Sequence, residues 1–188
     1  MNPLPFLLAA ESFLFLVGFT GMRLLGTPFV ARPDPLRDTL AFFALYVAFK
    51  GLDKLFARLA PEAYRATDRL MRQVARRIPD SGVLLLAAAS ALAEEVFFRG
   101  FLIGLFSRWL PPAAAVLLSA LVFMLFHPVP DRRAYLYTVY VGVAGLLFGA
   151  SYLATGSLIP GILAHFLVNA EGLWEARRGT SVPPGSVS

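Results

Sequence analysis

The chain contains no cysteine, so it has neither a disulfide framework nor a thiolate metal site, and cysteine usage says nothing about redox compartment. Charge is scarce as well. Asp, Glu, Lys and Arg make up 15 % of the 188 residues, against about 25 % in a soluble globular domain. The apolar fraction is 57 % and the mean hydropathy +0.67, where soluble domains hold roughly 45–50 % apolar residues. These values exclude a soluble globular protein and indicate an integral membrane protein, a single domain by length. Period-2 alternation is missing too. Apolar residues come in long runs, so the expected fold class is all-α, a polytopic membrane helix bundle.

A helix needs about 20 mainly apolar residues to cross the roughly 30 Å hydrocarbon core. That rule gives six spans, at residues 6–26, 36–52, 82–106, 113–127, 134–153 and 158–174. The fourth is short, and Lys50, Asp53 and Lys54 crowd the end of the second. Proline and glycine fall at the expected ends: Pro33 and Pro35, Pro111 and Pro112, Pro128 and Pro130, Gly156, and Pro160 in a first helical turn, where its missing N–H is tolerated. The first apolar run begins at Phe6 with no Lys or Arg before it and no small-residue cleavage site after it. It is therefore expected to be a retained helix rather than a signal peptide.

The formal net charge is +5 with a pI near 10. In a membrane protein such an excess follows from basic loops on the cytoplasmic side, and no nucleic-acid partner is implied. Six spans put 12 basic residues on the side of residues 53–80 and 4 on the other, with Arg99 inside, which accounts for all 17. Both termini are then cytoplasmic. Within 53–80, apolar residues from Leu55 to Ile78 recur every three or four positions, with Arg58, Arg65, Arg69, Arg72 and Arg76 between them. This is an amphipathic helix, which either lies on anionic lipid headgroups or packs on the bundle. The organisation expected is residues 1–81 as two transmembrane helices with this basic loop, 82–174 as a catalytic membrane core, and 175–188 as a disordered cytoplasmic tail.

The core carries ionisable groups where none is cheap. Glu94 and Glu95 interrupt an apolar run that begins at Gly82, and each charge at mid-membrane costs at least a few kcal/mol. Glu95 and Arg99 stand at i and i+4 on one helix face, acid first, the better order for a pair. Glu94 projects about 100° away around the helix and has no basic residue at i±3 or i±4. It is the carboxylate left free to act as a general base. The only two histidines, His127 and His165, also lie in apolar segments, and Asn169 follows His165 by one turn. An imidazole and an amide on one helix face can donate to a developing oxyanion; they can equally join transmembrane helices. His127, at a helix end, can be structural or catalytic.

In order along the chain, Glu94-Glu95-x-x-x-Arg99 with Phe98 and Gly100, Phe123-x-x-x-His127, and His165-x-x-x-Asn169 resemble the three motifs of the CAAX protease and bacteriocin-processing (CPBP, or Abi) family. The resemblance covers roughly residues 82–174. It implies a glutamate-type intramembrane endopeptidase acting on a membrane-associated protein or peptide. In that reading Glu94 with His127 activates water, His165 with Asn169 stabilises the oxyanion, and Glu95 and Arg99 orient the site. No cofactor is required. The zinc-dependent alternative uses Glu94, His127 and His165 as ligands, but leaves the site short of a separate base. The small size and lack of large cytoplasmic insertions make bacterial members the closer comparison, with the bacterial inner membrane as the expected location. Two other classes use the same residues: a proton-coupled carrier, and a non-catalytic partner or immunity protein that keeps the family fold. No repeated half supports a carrier, and no motif residue is lost.

Overall fold

The computed structural model describes residues 2–129 and 131–179; Met1, Pro130 and residues 180–188, most of the expected tail, lie outside them. Every regular element among the described residues is helical, and one isolated bridge, Val30 to Ser157, is the only β pairing. The helices are α1 (Leu4–Leu25), α2 (Pro35–Leu59), α3 (Pro61–Ala75), α4 (Asp80–Glu94), a π-helical turn (Glu95–Leu102), α5 (Ile103–Phe106), α6 (Pro112–Leu125), a 3-10 turn (Arg132–Ala134), α7 (Tyr135–Thr155) and α8 (Ile159–Arg178). Local chemistry sets their ends. Prolines occupy the first turns of α1, α2, α3, α6 and α8, and Asp34 caps α2 by accepting the Arg37 N–H. Gly26, Gly156 and Gly179 close α1, α7 and α8 in the left-handed region, which favours residues without a Cβ.

Each of the six expected spans falls on a helix. Three stretches, Leu4–Leu25, Asp80–Phe106 and Arg132–Thr155, are long and apolar enough to cross a membrane. The 14 residues of α6 reach only about 21 Å at 1.5 Å each. α2 runs on to Leu59 and α8 to Arg178, past the boundaries expected from hydropathy. Residues 175–178 are thus helical rather than part of a tail, and Ala176 is buried against the α3–α4 corner. Hydropathy stops where charge begins, but the helix continues because Leu173 and Ala176 still have a packing surface.

The stretch Asp80–Phe106 is the hub. Of its most apolar window, 61 % is buried, against 11 % for α1 and 28 % for the stretch containing α7. α1 packs along it with the same chain direction. An added Cβ at Gly82 would meet Leu4, one at Gly18 would fall 2.7 Å from the Cα of Phe97, and one at Gly100 would strike Met22. Position 18 therefore admits only glycine at this helix separation. At one end of the bundle, the α1–α2 and α7–α8 loops are joined by the Ala31 N–H to the Gly156 carbonyl (2.7 Å) and the Leu158 N–H to the Phe29 carbonyl (3.1 Å). At the other end, Arg177 pairs with Asp80 and donates to the carbonyls of Ala75 and Ile78. The start of α1, all of α3 and the end of α8 share this second end. α3 lays its alanines (Ala63, Ala66, Ala75) inward and packs along α8, while Arg65, Arg69, Arg76 and Arg77 stay exposed. Its apolar edge is thus taken up by the bundle, not left for lipid.

Candidate active site

The first motif lies on the π-helical turn. Its i→i+5 bonding is a feature α-helical spacing did not anticipate, and such turns are frequent at functional sites. Ser119 on α6 donates to the Phe98 carbonyl (2.7 Å), joining α6 to this widened turn. Glu95 and Arg99 still pair, with Nη1 3.1 Å from Oε1, and both side chains are 1 % exposed. The guanidinium lies between the rings of Phe123 and Phe148, 4.4 and 4.8 Å from their centroids, within the range of cation–π attraction. The expected partnership holds, with two aromatic faces added.

Glu95 has a second partner 70 residues away. His165 Nδ1–H donates to its Oε1 at 3.0 Å, and the imidazole stacks on Phe148 at 4.8 Å. The other ring nitrogen, Nε2, lies 3.7 Å from Glu94 Oε2. His127 makes the matching approach from α6, its Nε2 3.8 Å from the same oxygen. Its Nδ1 is 2.9 Å from the Phe123 carbonyl. A carbonyl only accepts, so His127 carries its proton on Nδ1 and turns a bare Nε2 toward Glu94. Both imidazoles therefore face one carboxylate oxygen, and that oxygen is buried with no hydrogen-bond partner.

Asn169 stands one turn further along α8 and donates through Nδ2 to Ser90 Oγ at 2.9 Å. Ser90 precedes Glu94 by one turn on α4. The structure thus brings Glu94, Glu95, Arg99, His127 and His165 into one cluster and sets Asn169 at its rim. Gly161 makes room for it: a Cβ there would fall 2.9 Å from Glu95 Oε2. The site sits 14 residues into the Asp80–Phe106 stretch, about 21 Å from its start. It is closed around Glu94 and His165, whose side chains are 10 % and 8 % exposed, and open at His127, 28 % exposed. The opening arises because α6 stops at Leu125.

Two polar residues near the cluster had no signal in the motif spacing. Ser90 reads as one small residue among alanines. Glu11, in the middle of α1, lies outside every motif, and its Oε2 is buried without a hydrogen-bond partner. Its position in a membrane-length apolar run was the available clue.

Chemically, a lone carboxylate oxygen faced by two imidazole nitrogens can hold and deprotonate a water. Two acceptors sharing one water at about 2.8 Å each lie roughly 4.4 Å apart. Two ligands of one tetrahedral zinc at about 2.0–2.2 Å lie roughly 3.3–3.6 Å apart. The observed 3.7 and 3.8 Å fall between these values. Among the described residues, no three His, Cys, Asp or Glu are already drawn together as metal ligands.

Comparison with known proteins bears on this constellation. No curated protein and no solved structure matches the chain. Residues 81–170, however, match the family model described as type II CAAX prenyl endopeptidase Rce1-like, a stretch that includes Glu94, Glu95, Arg99, His127, His165 and Asn169. This region thus matches the CAAX protease and bacteriocin-processing family, and the apolar helices around it mark an integral membrane protein.

Proposed function

We propose that the protein is an intramembrane endopeptidase that hydrolyses a peptide bond of a membrane-associated protein or peptide with a water activated by Glu94. The observation that carries this reading is the buried, unpartnered Oε2 of Glu94, faced by Nε2 of both histidines, while neighbouring Glu95 is engaged by Arg99 and His165. A water between Glu94 Oε2 and His127 Nε2 donates one hydrogen to each and turns a lone pair toward the scissile carbonyl. On attack, its oxygen bonds to the carbonyl carbon and its proton passes to Glu94. Glu94 then returns that proton to the departing amine as the carbon–nitrogen bond breaks.

The oxyanion needs donors. A neutral His165 has its one N–H committed to Glu95, so Nε2 donates only in the imidazolium form. Asn169 supplies the second donor through the amide hydrogen that Ser90 does not use. Replacing Asn169 by alanine is expected to lower kcat about 10²-fold, the worth of one oxyanion donor, with little change in KM because the oxyanion exists only after attack. Steady-state kinetics on a cleaved peptide checks this; a rise confined to KM reassigns Asn169 to binding or packing.

A zinc-dependent variant has a specific observation in its favour. His165 Nδ1–H on a carboxylate and His127 Nδ1–H on a backbone carbonyl are the outer contacts usual for metal-binding imidazoles, and Glu94 Oε2 is orphaned. Glu94, His127 and His165 would hold the ion, which supplies a bound water ionised near neutral pH. The metal-free reading keeps Glu94 free as the base, since Glu95 is committed and cannot replace it. Activity is therefore expected to survive exhaustive chelation, with metal content measured on the same sample. Activity lost with the metal and restored by stoichiometric Zn²⁺ would reverse the assignment.

The end of the bundle that carries α3 is proposed to face the cytoplasm of a bacterial inner membrane, with both chain ends on that side. Its exposed arginines then meet anionic headgroups, each worth about 1 kcal/mol near the surface. The natural lack of cysteine makes the test direct. A cysteine at Thr67 is expected to resist an impermeant thiol reagent added outside intact cells and to react once the membrane is opened. Labelling from outside inverts the topology.

A further inference from the structure

Glu11 is the one carboxylate in the membrane-length helix α1, and it lies outside the family-matched region at residues 81–170. It is on the packed face of its helix. Gly18 and Met22, at i+7 and i+11, meet Phe97 and Gly100, and Leu4, at i−7, meets Gly82. These three contacts share an offset of 78–79 residues, which sets Glu11 level along the bundle with residues 89–90, the height at which Ser90 holds Asn169. No ion pair forms to it among the described residues, and its Oε2 is buried with no hydrogen-bond partner. Its helical neighbours at i±3 and i±4 are Leu7, Leu8, Leu14 and Phe15.

A carboxylate held in an apolar setting without a cation is costly, and proteins keep such groups where a partner arrives. The site's other charges leave nothing over for Glu11. Arg99 is 1 % exposed, held by Glu95 and the two rings, and His165 lies between Glu95 and Glu94. With Arg99 and His165 taken up by Glu95 and Glu94, the carboxylate left without a counterpart is that of Glu11. The complement is a cation on the incoming chain.

We propose that Glu11 is a specificity-determining residue of this site and accepts the ammonium or guanidinium group of a basic substrate side chain. The inference rests on the endopeptidase reading above. Ser90 and Glu94 are one turn apart, roughly 6 Å along the axis, and an extended peptide advances about 3.3–3.6 Å per residue. The basic residue therefore lies within two or three positions of the scissile bond, on the side nearer the α3 end of the bundle.

The test uses the full-length protein in proteoliposomes and a library of acyl-anchored peptides that differ only in carrying Lys, norleucine or Glu at each position in turn, with cleavage read by mass spectrometry. At one position the wild type is expected to prefer Lys over norleucine roughly ten- to hundredfold in kcat/KM, the worth of one charge-assisted hydrogen bond. Glu11→Gln should bring that ratio near one, Glu11→Ala should do the same, and Glu11→Lys should turn the preference toward Glu. Binding of the same peptides to the Glu94→Gln protein gives a second readout that needs no turnover: the Lys preference in Kd should appear there and vanish when Glu11→Gln is added. Absence of a Lys preference in both readouts, or its persistence in the Glu11 variants, overturns the proposal. Cleavage by Glu94→Gln itself would instead sink the endopeptidase reading, so the two failures are distinguishable.

Discussion

Glu94→Gln is expected to lower the cleavage rate by about 10²–10⁴-fold, the usual loss on removing a general base, while the protein still inserts and folds. The substitution keeps the shape of the side chain and removes only its capacity to take a proton. Little in the scaffold depends on that proton, because Glu94 Oε2 has no hydrogen bond within the protein. Its contacts with His127 and His165, at 3.8 and 3.7 Å, exceed hydrogen-bond length. A loss of turnover with unchanged thermal unfolding in detergent marks a chemical role. Near-normal turnover by a well-folded Glu94→Gln protein would remove Glu94 from the base position.

Arg99→Met acts on the scaffold instead. The methionine roughly matches the apolar bulk of the side chain between Phe123 and Phe148 but leaves Glu95 buried, 1 % exposed, with only His165 beside it. Breaking a buried pair from one side typically costs about 3–5 kcal/mol, so a large fall in unfolding midpoint is expected, with activity lost alongside it. Removing both charges, as Glu95→Gln with Arg99→Met, should recover much of the stability and none of the activity, because His165 no longer meets a carboxylate. Equilibrium unfolding of the three proteins in one detergent checks the pattern. If the single variant is as stable as the wild type, the pair does not stabilise the fold.

The contrast between these two glutamates was legible in the sequence, because helix spacing alone gives Glu95 a cation and denies one to Glu94. Apolar runs of membrane length, punctuated by proline and glycine, likewise marked the helices. Contacts that depend on distant segments were not legible. The bond from His165 to Glu95 spans 70 residues and that from Asn169 to Ser90 spans 79. No periodicity encodes either. The π-helical turn leaves no local signature, since its Phe98 carbonyl is met by a serine on α6. α3 presented the ambiguity in full: its arginine and apolar faces suit a headgroup surface or a bundle end equally. Packing of its alanines against α8 decides where the apolar face goes. Glu11 leaves no signal for a different reason, since hydropathy averages absorb one carboxylate among leucines and phenylalanines.

The most direct measurement compares the peptide termini present in membranes that contain the wild-type protein with those that contain Glu94→Gln at equal abundance. The account predicts a defined set of new termini within or beside membrane segments in the wild type, absent with Glu94→Gln, and reproduced when purified protein and the parent polypeptide meet in proteoliposomes. Identical termini in the two membranes, with the reconstituted polypeptide left intact, would contradict it.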